Sequence, residues 1–473
     1  MNVLLVFPPP GRESIDTGAI SLVEPLTLEY IGAGIQADHD VRLIDLRLKT
    51  GPGLKDTLEA FKPDIVACTG LTPDVNGAKQ VFSEAKKRLP GVLTVAGGIH
   101  ATVMPEDYFA DTVDVVVMGE GVHPFKKICA AQEKQESFAD IDNIYYRTGA
   151  KTGGTGGPGG QWVFTRQTAH PPLDSLPFPA RDLTSRFRHH YYNYLFFKPV
   201  PVALIRGSLG CIFRCHFCAV SSMLKGKLYR HSVERITAEL ASLTEPHVLW
   251  VDDEFLLDAQ QAMLLAKEIE KAGIKKTHTI LSRSDTIVKN PGCIEEWVKI
   301  GLKEVLVGFE SHRENDLKKM RKGTTLSRNE EVVRILHQNN IIIRGNFIVQ
   351  PDFTSEDFRQ LAEYIRNLEI DTPSLTAWTP LPGTPLYEEE KNNLITRNYN
   401  LFDLFHTVLP TRLPLKQFFK DYACYFGQTI SPEKKMAALK QIPPQERWKF
   451  MEIMSKFVQS LENGYIHYDK SLW

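Results

Sequence analysis

Cys211-Ile212-Phe213-Arg214-Cys215-His216-Phe217-Cys218 is the stretch that decides the fold, because it sets three thiols at the spacing C-x3-C-x2-C directly after an apolar run ending at Arg206. Thiolates hold iron–sulfur clusters, and a fourth ligand would close the arrangement. Three closely spaced cysteines leave one iron open to a ligand that is not protein. Zinc is the rival reading, and it wants a fourth protein ligand. His216 lies between two of the cysteines, where its ring is expected to point away. The motif therefore offers Cys211, Cys215 and Cys218 as metal ligands. It assigns no catalytic acid, base or nucleophile.

Outward from the motif, strand-like runs at 202–206, 248–252, 279–282, 304–309, 342–349 and 374–379 alternate with helical ones such as 233–242 and 259–272. Six βα units predict a partial (β/α)6 parallel barrel whose site lies at the C-terminal strand ends. Polar residues fall at those ends: Asp252-Asp253-Glu254, Ser282-Arg283-Ser284-Asp285 and Glu310-Ser311. Alone, the acidic run reads equally well as a solvated turn. Beyond Pro385 the pattern turns helical and aromatic.

Upstream, runs at 2–7, 40–45, 65–69, 93–96 and 113–118 read as strands, with helices at 25–36, 53–61 and 75–89 between them. This α/β alternation predicts a Rossmann-like, doubly wound sheet, whose ligands bind outside the carboxyl ends of the strands. Thr69-Gly70-Leu71-Thr72-Pro73, Gly97-Gly98-Ile99-His100-Ala101-Thr102 and Gly119-Glu120-Gly121 follow successive strands. Glycines there permit close backbone approach to a large polar ligand. No G-x-G-x-x-G follows the first strand, so a dinucleotide site lacks its fingerprint. A glycine-rich run at 151–160 and a proline-rich one at 171–179 read as a hairpin tip or linker and an extended connector. The expected domains are 1–140, a linker at 141–200, the barrel at 201–387 and a helical domain at 388–473.

Composition narrows the class. Hydrophobic residues make up 42% and charged ones 24%, as in soluble globular proteins. A net charge of -1 gives no reason to expect a nucleic-acid partner. No run approaches the ~20 apolar residues of a membrane span, and the first residues read as a buried strand rather than a signal peptide. Seven cysteines are an odd number in a chain without an export signal, so a reducing cytoplasm is expected. Cys68, Cys129, Cys293 and Cys424 are scattered and read as small buried hydrophobes.

Over about 202–387 these motifs resemble the radical S-adenosylmethionine (SAM) superfamily. The resemblance implies a [4Fe-4S] cluster on the three cysteines, with SAM on the open iron. It implies that Phe217 packs near the adenine and that Asp253, Arg283 and Glu310 are among the polar groups reaching SAM. Thr379-Pro380-Leu381-Pro382-Gly383-Thr384-Pro385 resembles the turn that closes such barrels. Ser208-Leu209-Gly210 and Gln350-Pro351-Asp352 depart from the commoner Thr-Arg-Gly and Gly-x-Pro, and neither touches a cluster ligand.

The first domain resembles the cobalamin-binding domain fused to such barrels. That implies a cobalamin site built from Thr69, Thr72, Gly97, Gly98, His100, Thr102, Gly119, Glu120 and Gly121. The D-x-H-x-x-G motif is absent, and Asp38-His39-Asp40 does not have its spacing, so cobalt is expected without a protein histidine. His100 then either orients its loop or is a satisfied structural histidine, the two readings standing level. Val122 stands where a second glutamate is customary.

Together the domains resemble the cobalamin-dependent radical SAM methyltransferases, which implies removal of hydrogen from an unactivated sp3 carbon and delivery of a methyl group there. It also implies a low-potential electron donor such as ferredoxin or flavodoxin. Aromatic stretches at 187–197 and 399–422 fit either domain packing or a surface for a large, flat, apolar polycycle. Two groups of relatives act on such substrates. One holds the bacteriochlorophyllide side-chain methyltransferases with the anaerobic magnesium-protoporphyrin ester cyclase, and the other is the hopanoid C-3 methylase, which 398–415 also resembles. The bacteriochlorophyll-type tetrapyrrole is the first expectation; His189 or His190 could ligate its magnesium, although a histidine on the surface without a ligand role is the favoured reading of either. A hopanoid would call for peripheral membrane contact, and no strongly basic amphipathic helix is evident. A ring-forming or oxidising cyclase and a non-catalytic B12-binding sensor are the other readings. The intact cysteine trio argues against the sensor.

Overall fold

The computed structural model describes residues 1–15, 17–148, 160–195 and 198–472. The chain divides into two units, Met1–Ser14 with Glu24–His190, and Ile15–Val23 with Tyr191–Trp473.

In the first unit Val3, Leu4, Leu5 and Val6 have no exposed surface. A strand apolar on both faces belongs inside a parallel sheet, and Asn2–Phe7 is indeed flanked on both sides. Asp40–Asp45 pairs with it on one side and Ile65–Cys68 on the other, followed by Leu93–Ala96 and Val115–Val117, all parallel. The order second-first-third-fourth-fifth places a topological switch point beside the first strand, where the chain leaves room for a ligand. Helices Leu26–Ala33, Leu54–Phe61 and Val75–Arg88 lie where their apolar periodicity puts them.

The stretch expected as a linker differs. Ile144–Arg147 and Trp162–Phe164 extend this sheet as antiparallel strands, and everything to His190 belongs to the first unit. Their aromatic residues supply the reason: Trp162 stacks on Phe109 at 4.5 Å and Tyr145 packs on Phe164 at 4.6 Å. Residues 151–159 of the glycine-rich run lie outside the described residues, as do Phe196, Phe197 and Trp473.

The second unit holds the barrel. Lys198–Ile205, His247–Trp250, Thr277–Ser282, Leu302–Glu310, Ile342–Val349 and Thr372–Ala377 are six parallel strands in sequence order. Tyr192–Leu195 and Ser21–Leu22 add antiparallel strands beyond the first. Alternation along each strand sorts the faces. Val305, Val307, Phe309, Ile343 and Phe347 join the buried core with helices such as Leu326–Gln338 and Ser355–Asn367. Glu304 and Arg344 take the other face, where Arg344 donates to the Tyr194 carbonyl at 2.6 Å. Those two strands lie near opposite edges of the sheet, so that bond shows it to be curled.

The residues after Pro385 do not separate from the barrel. Leu415–Phe426 packs on Ser355–Asn367 through Phe358 and Phe418, 5.3 Å apart, and Tyr422 donates to the Leu375 carbonyl at 2.7 Å. Of the two readings of 399–422, this favours domain packing over an aromatic surface for a substrate. Phe402, Phe418, Phe419 and Tyr422 are buried, and the driving force is core packing. Phe187 and Tyr191 are buried as well. A second correction concerns Cys424, which is exposed, whereas Cys68, Cys129 and Cys293 are buried. Among the described residues no helix is long and apolar enough to cross a membrane.

Candidate active site

The loop bearing the cysteines leaves the C-terminal end of Lys198–Ile205 and is tied down at its root. Asp252 and Asp253, at the end of the next strand, do the tying. Asp252 accepts from the Gly207 N–H at 2.9 Å and the Ser208 hydroxyl at 2.6 Å, and Asp253 accepts from the Gly210 N–H at 2.7 Å. Burial pushes Asp252 up to about 6 and raises Asp253. Gly210 has a φ of 104°, and a Cβ there would run into the Lys227 carbonyl, so only glycine fits this entry to Cys211. Ser208–Leu209 and Tyr229–Arg230 pair antiparallel and close the base of the loop.

Other segments grip the loop from outside. The His216 N–H donates to the Met320 carbonyl at 3.0 Å, its carbonyl accepts from Leu386 at 3.3 Å, and its Nε2 meets Glu389 at 3.0 Å. His216 is thus engaged away from the thiols, as its position predicts.

Arg283 is the hub of the charge arrangement. Its Nη1 donates to Cys215 Sγ at 3.3 Å and its Nε to Asp285 at 2.8 Å, while Nη2 donates to the Lys322 carbonyl. The guanidinium also lies 3.8 Å over the Phe213 ring. Lys322 in turn donates to Glu310 at 2.5 Å. Burial opposes both cations, yet Asp285 and Cys215 beside Arg283, and Glu310 beside Lys322, hold them charged above their ordinary values. Glu310 sits at a φ of 64°, at a bulge where Leu302–Glu310 shifts register against its neighbour. Glu254 accepts from the Ser282 and Thr286 hydroxyls and from the Arg283 N–H, which fixes the start of the Arg283 turn. Phe217 faces Trp378 at 5.5 Å.

Of the residues expected around SAM, Arg283 and Glu310 are joined through Lys322, whereas the Asp253 carboxylate is turned to the loop root. Asp252 and Glu254 belong to the acidic run noted at a strand end, whereas Lys322 and Trp378 were not singled out from sequence. Trp378 lies within the expected strand 374–379. Lys322 follows a helix and carried no signal of its own.

Burial pushes the Cys211 thiol up to about 11 and also raises Cys218, against backbone N–H groups of Phe213 and of Ser221 and Val220 that lower them. Among the described residues no three His, Cys, Asp or Glu side chains converge on one metal position.

The strand ends of the first unit form a second site. Gly98, with a φ of 97°, lies so close to Thr69 and Gly70 that a Cβ would sit 2.7 Å from the Gly70 nitrogen. Thr102 donates to the Gly98 carbonyl at 2.8 Å and accepts from the Gly119 N–H at 2.9 Å, which joins two of the expected loops. His100 joins the third. Its Nδ1 meets Thr72 at 3.1 Å and its Nε2 meets Asp107 at 2.9 Å, and it has no exposed surface. Both ring nitrogens are thus engaged, which ties this loop to Thr72 and Asp107. Glu120 accepts from the Val122 N–H and caps Val122–Lys134, and Gly121 precedes that helix. Gly97 is half-buried at the same strand end, and Leu71 and Ile99 expose apolar surface there, 50% and 38%. His189 and His190 end a 3-10 stretch of the first unit with rings 4.0 Å apart, and His190 meets Thr50 at 3.0 Å.

Comparison with known proteins agrees with this geometry. Residues 20–128 match the B12 binding domain family and residues 205–365 the Radical SAM superfamily. The chain is similar to the hopanoid C-3 methylase of Methylococcus capsulatus, 31% identical over 89% of this chain and 78% of that one. It is similar also to the bacteriochlorophyllide d C-12(1)-methyltransferase of Chlorobaculum tepidum, 24% identical over 94% of this chain and 91% of that one. Among solved structures, the cobalamin-dependent S-adenosylmethionine radical enzyme OxsB shares the fold, with a TM-score of 0.69 at 17% identity over 98% of this chain and 71% of that one. A B12-binding sheet, a radical SAM half-barrel with its cysteine loop, and a methylase relative spanning nearly the whole chain lead to one conclusion: the chain belongs to the cobalamin-dependent radical SAM methyltransferases, with cobalamin, SAM and a [4Fe-4S] cluster as cofactors.

Proposed function

We propose that the chain methylates an unactivated sp3 carbon of a large hydrophobic polycycle. The observation that carries its radical half is the bond from Arg283 to Cys215 Sγ, a buried cation donating to a sulfur of the three-cysteine loop, while the methyl group and the polycycle rest on the likeness to two methyltransferases. Such a donor stabilises a thiolate and offsets the negative charge of a cluster. On this reading Cys211, Cys215 and Cys218 hold the cluster. Phe217, Arg283 and Glu310 take SAM, with Asp253 bracing the loop beside them. The glycine and threonine loops of the first unit hold cobalamin, and exposed Leu71 and Ile99 suit its macrocycle.

When bound, these cofactors supply hydrogen abstraction and a methyl group. The chain's own part is to anchor the cysteine loop through Asp252 and Asp253, to keep positive charge at Cys215 through Arg283, and to hold Glu310 and Lys322 as a neutral pair. The raised thiols of Cys211 and Cys218 release protons when metal binds, so cluster uptake strengthens as pH rises. A low-potential donor of the ferredoxin or flavodoxin class and a reducing cytoplasm complete the proposal.

Between the two polycycles, the 31% identity to a hopanoid methylase, against 24% to the tetrapyrrole enzyme, moves preference from the tetrapyrrole to a hopanoid-type substrate. Anaerobic incubation with methyl-labelled SAM, a reductant, and hopanoids or bacteriochlorophyllides in separate reactions tests this by mass spectrometry. A labelled methyl group on the hopanoid is expected. An altered product without the label would establish a cyclase, and no 5′-deoxyadenosine at all would leave the sensor reading.

A further inference from the structure

We propose that the outer face of the cysteine loop is the docking surface for a small acidic one-electron carrier protein, an assignment that deepens the methyl-transfer reading and rests on it. Ile212, the residue after Cys211, is 54% exposed, and Arg214, between the first two thiols, is exposed as well. A large apolar side chain held in solvent one residue from a metal ligand puts that ligand just beneath the surface. Electron transfer weakens steeply with distance, so a carrier has to touch the protein close to the thiols. Such encounters are small and transient, and a loop with two flanking segments is surface enough for one.

Charge on this face is of one sign. The turn Lys225-Gly226-Lys227 lies against the loop, where a Cβ on Gly226 would stand 4.0 Å from the Ile212 carbonyl, and both lysines are exposed. A second segment reaches the loop at His216, whose N–H donates to the Met320 carbonyl, and at Arg283, 3.7 Å from a Cβ placed on Gly323. It brings exposed Lys318, Lys319 and Arg321 with it. Among the described residues none of these six cations has a carboxylate partner. The acids of the neighbouring segments are turned to other work. Asp253 accepts from the Gly210 N–H, Asp316 from the Ser311 hydroxyl, and Glu389 meets His216.

In a chain of net charge -1, six unopposed cations around one loop are a local excess that attracts and orients an acidic partner. A nucleic acid or an anionic membrane would meet the same charge, but only an electron carrier needs to approach the thiols. The reduced carrier gives up one electron and is oxidised, and the cluster takes that electron up. No bond is made or broken.

A plant-type ferredoxin, an acidic carrier, is the probe. Its binding to the anaerobic holoenzyme is measured by calorimetry and its reduction of the cluster by stopped flow, with reduced methyl viologen, a small cation, as the control reductant. Lys225 and Arg321 sit at φ of 52° and 51°, a conformation that aspartate tolerates. Lys225→Asp with Arg321→Asp should raise the ferredoxin Kd about tenfold or more and slow reduction by it, while reduction by methyl viologen is not slowed. Added salt should weaken wild-type binding and leave the variant nearly unchanged. Lys318→Asp with Lys319→Asp, on an exposed helix end, should act in the same direction and decides the outcome if the first pair disturbs the loop. Ferredoxin binding and reduction indifferent to both pairs would overturn the proposal. So would variants that lose binding to RNA or to anionic vesicles and keep ferredoxin. Failure of the methyl-transfer reading looks different: SAM is cleaved and ferredoxin keeps its charge dependence, but no polycycle gains a labelled methyl group.

Discussion

Arg283 gives its three nitrogens to Cys215, Asp285 and the Lys322 carbonyl, so its position is over-determined and its charge is held against the Cys215 sulfur. Hydrogen bonds to cluster sulfurs and nearby positive charge raise a reduction potential. Arg283→Gln should therefore keep the three cysteines and bind a cluster whose midpoint is more negative, read by a redox titration followed by electron paramagnetic resonance. Cys215→Ala should instead lose the cluster's visible absorbance and SAM cleavage. An unchanged midpoint in Arg283→Gln would mean that Arg283 does not tune the cluster, and a cluster retained in Cys215→Ala would mean that Cys215 does not hold it. At this scale the sequence was partly legible. The cysteines announce themselves by spacing and Arg283 by its place after a strand. Lys322 does not, because it reaches Glu310 only through the tertiary approach of the segment following Glu314–Lys319.

Strand ends and turns set the next scale, where glycine positions were readable but their partners were not. The run Gly97-Gly98 marked a loop, and the structure adds why the second glycine is required: the loop after Ile65–Cys68 passes at contact distance. Gly98→Ala should cost the first unit about 1–3 kcal/mol through φ strain and collision with Gly70. Thermal unfolding should show that loss, and cobalamin retention on gel filtration should fall with it. Two buried histidines on neighbouring barrel strands, His247 and His278, make a separate prediction. Burial holds His278 down at about 3 and His247 at about 4, against an ordinary 6.5. Below pH 6.5 the unfolded chain binds protons that the folded chain refuses. Their contribution is complete above pH 6.5 and is lost as pH falls toward 4. The raised carboxyls of Asp252 and Glu304 act in the opposite direction. The clean readout is thus the difference between wild type and His278→Asn. The stability lost in the variant should be largest near pH 7 and shrink toward pH 4.5. A difference that grows on acidification would mean that His278 is charged in the folded protein.

At the scale of the whole molecule, alternation of strand and helix gave both sheets, yet the path of the chain between them was hidden. The segment Ile15–Val23 belongs to the second unit although the first unit surrounds it in sequence. Nothing in its composition says so, because a two-residue edge strand has no periodicity to read. Its anchors are specific: Ser21 and Leu22 pair with Asn193 and Tyr192, Ile15 is buried in the barrel core, and its N–H donates to Asp403 at 2.7 Å. A fragment of residues 191–473 would keep all six parallel strands but expose the edge of Tyr192–Leu195 and the apolar surface that Ile15 and Ile20 cover. Unpaired edges beside apolar surface recruit other chains. Such a fragment should form oligomers on size-exclusion chromatography and unfold at a lower temperature, by about 2–4 °C for each kcal/mol lost. Joining residues 15–23 through a short glycine–serine linker to residue 191 restores the edge strand, the Ile15 packing and the bond to Asp403. That fusion should run as a monomer and recover most of the midpoint. If it associates as readily as the shorter fragment, the edge is not what the first segment protects.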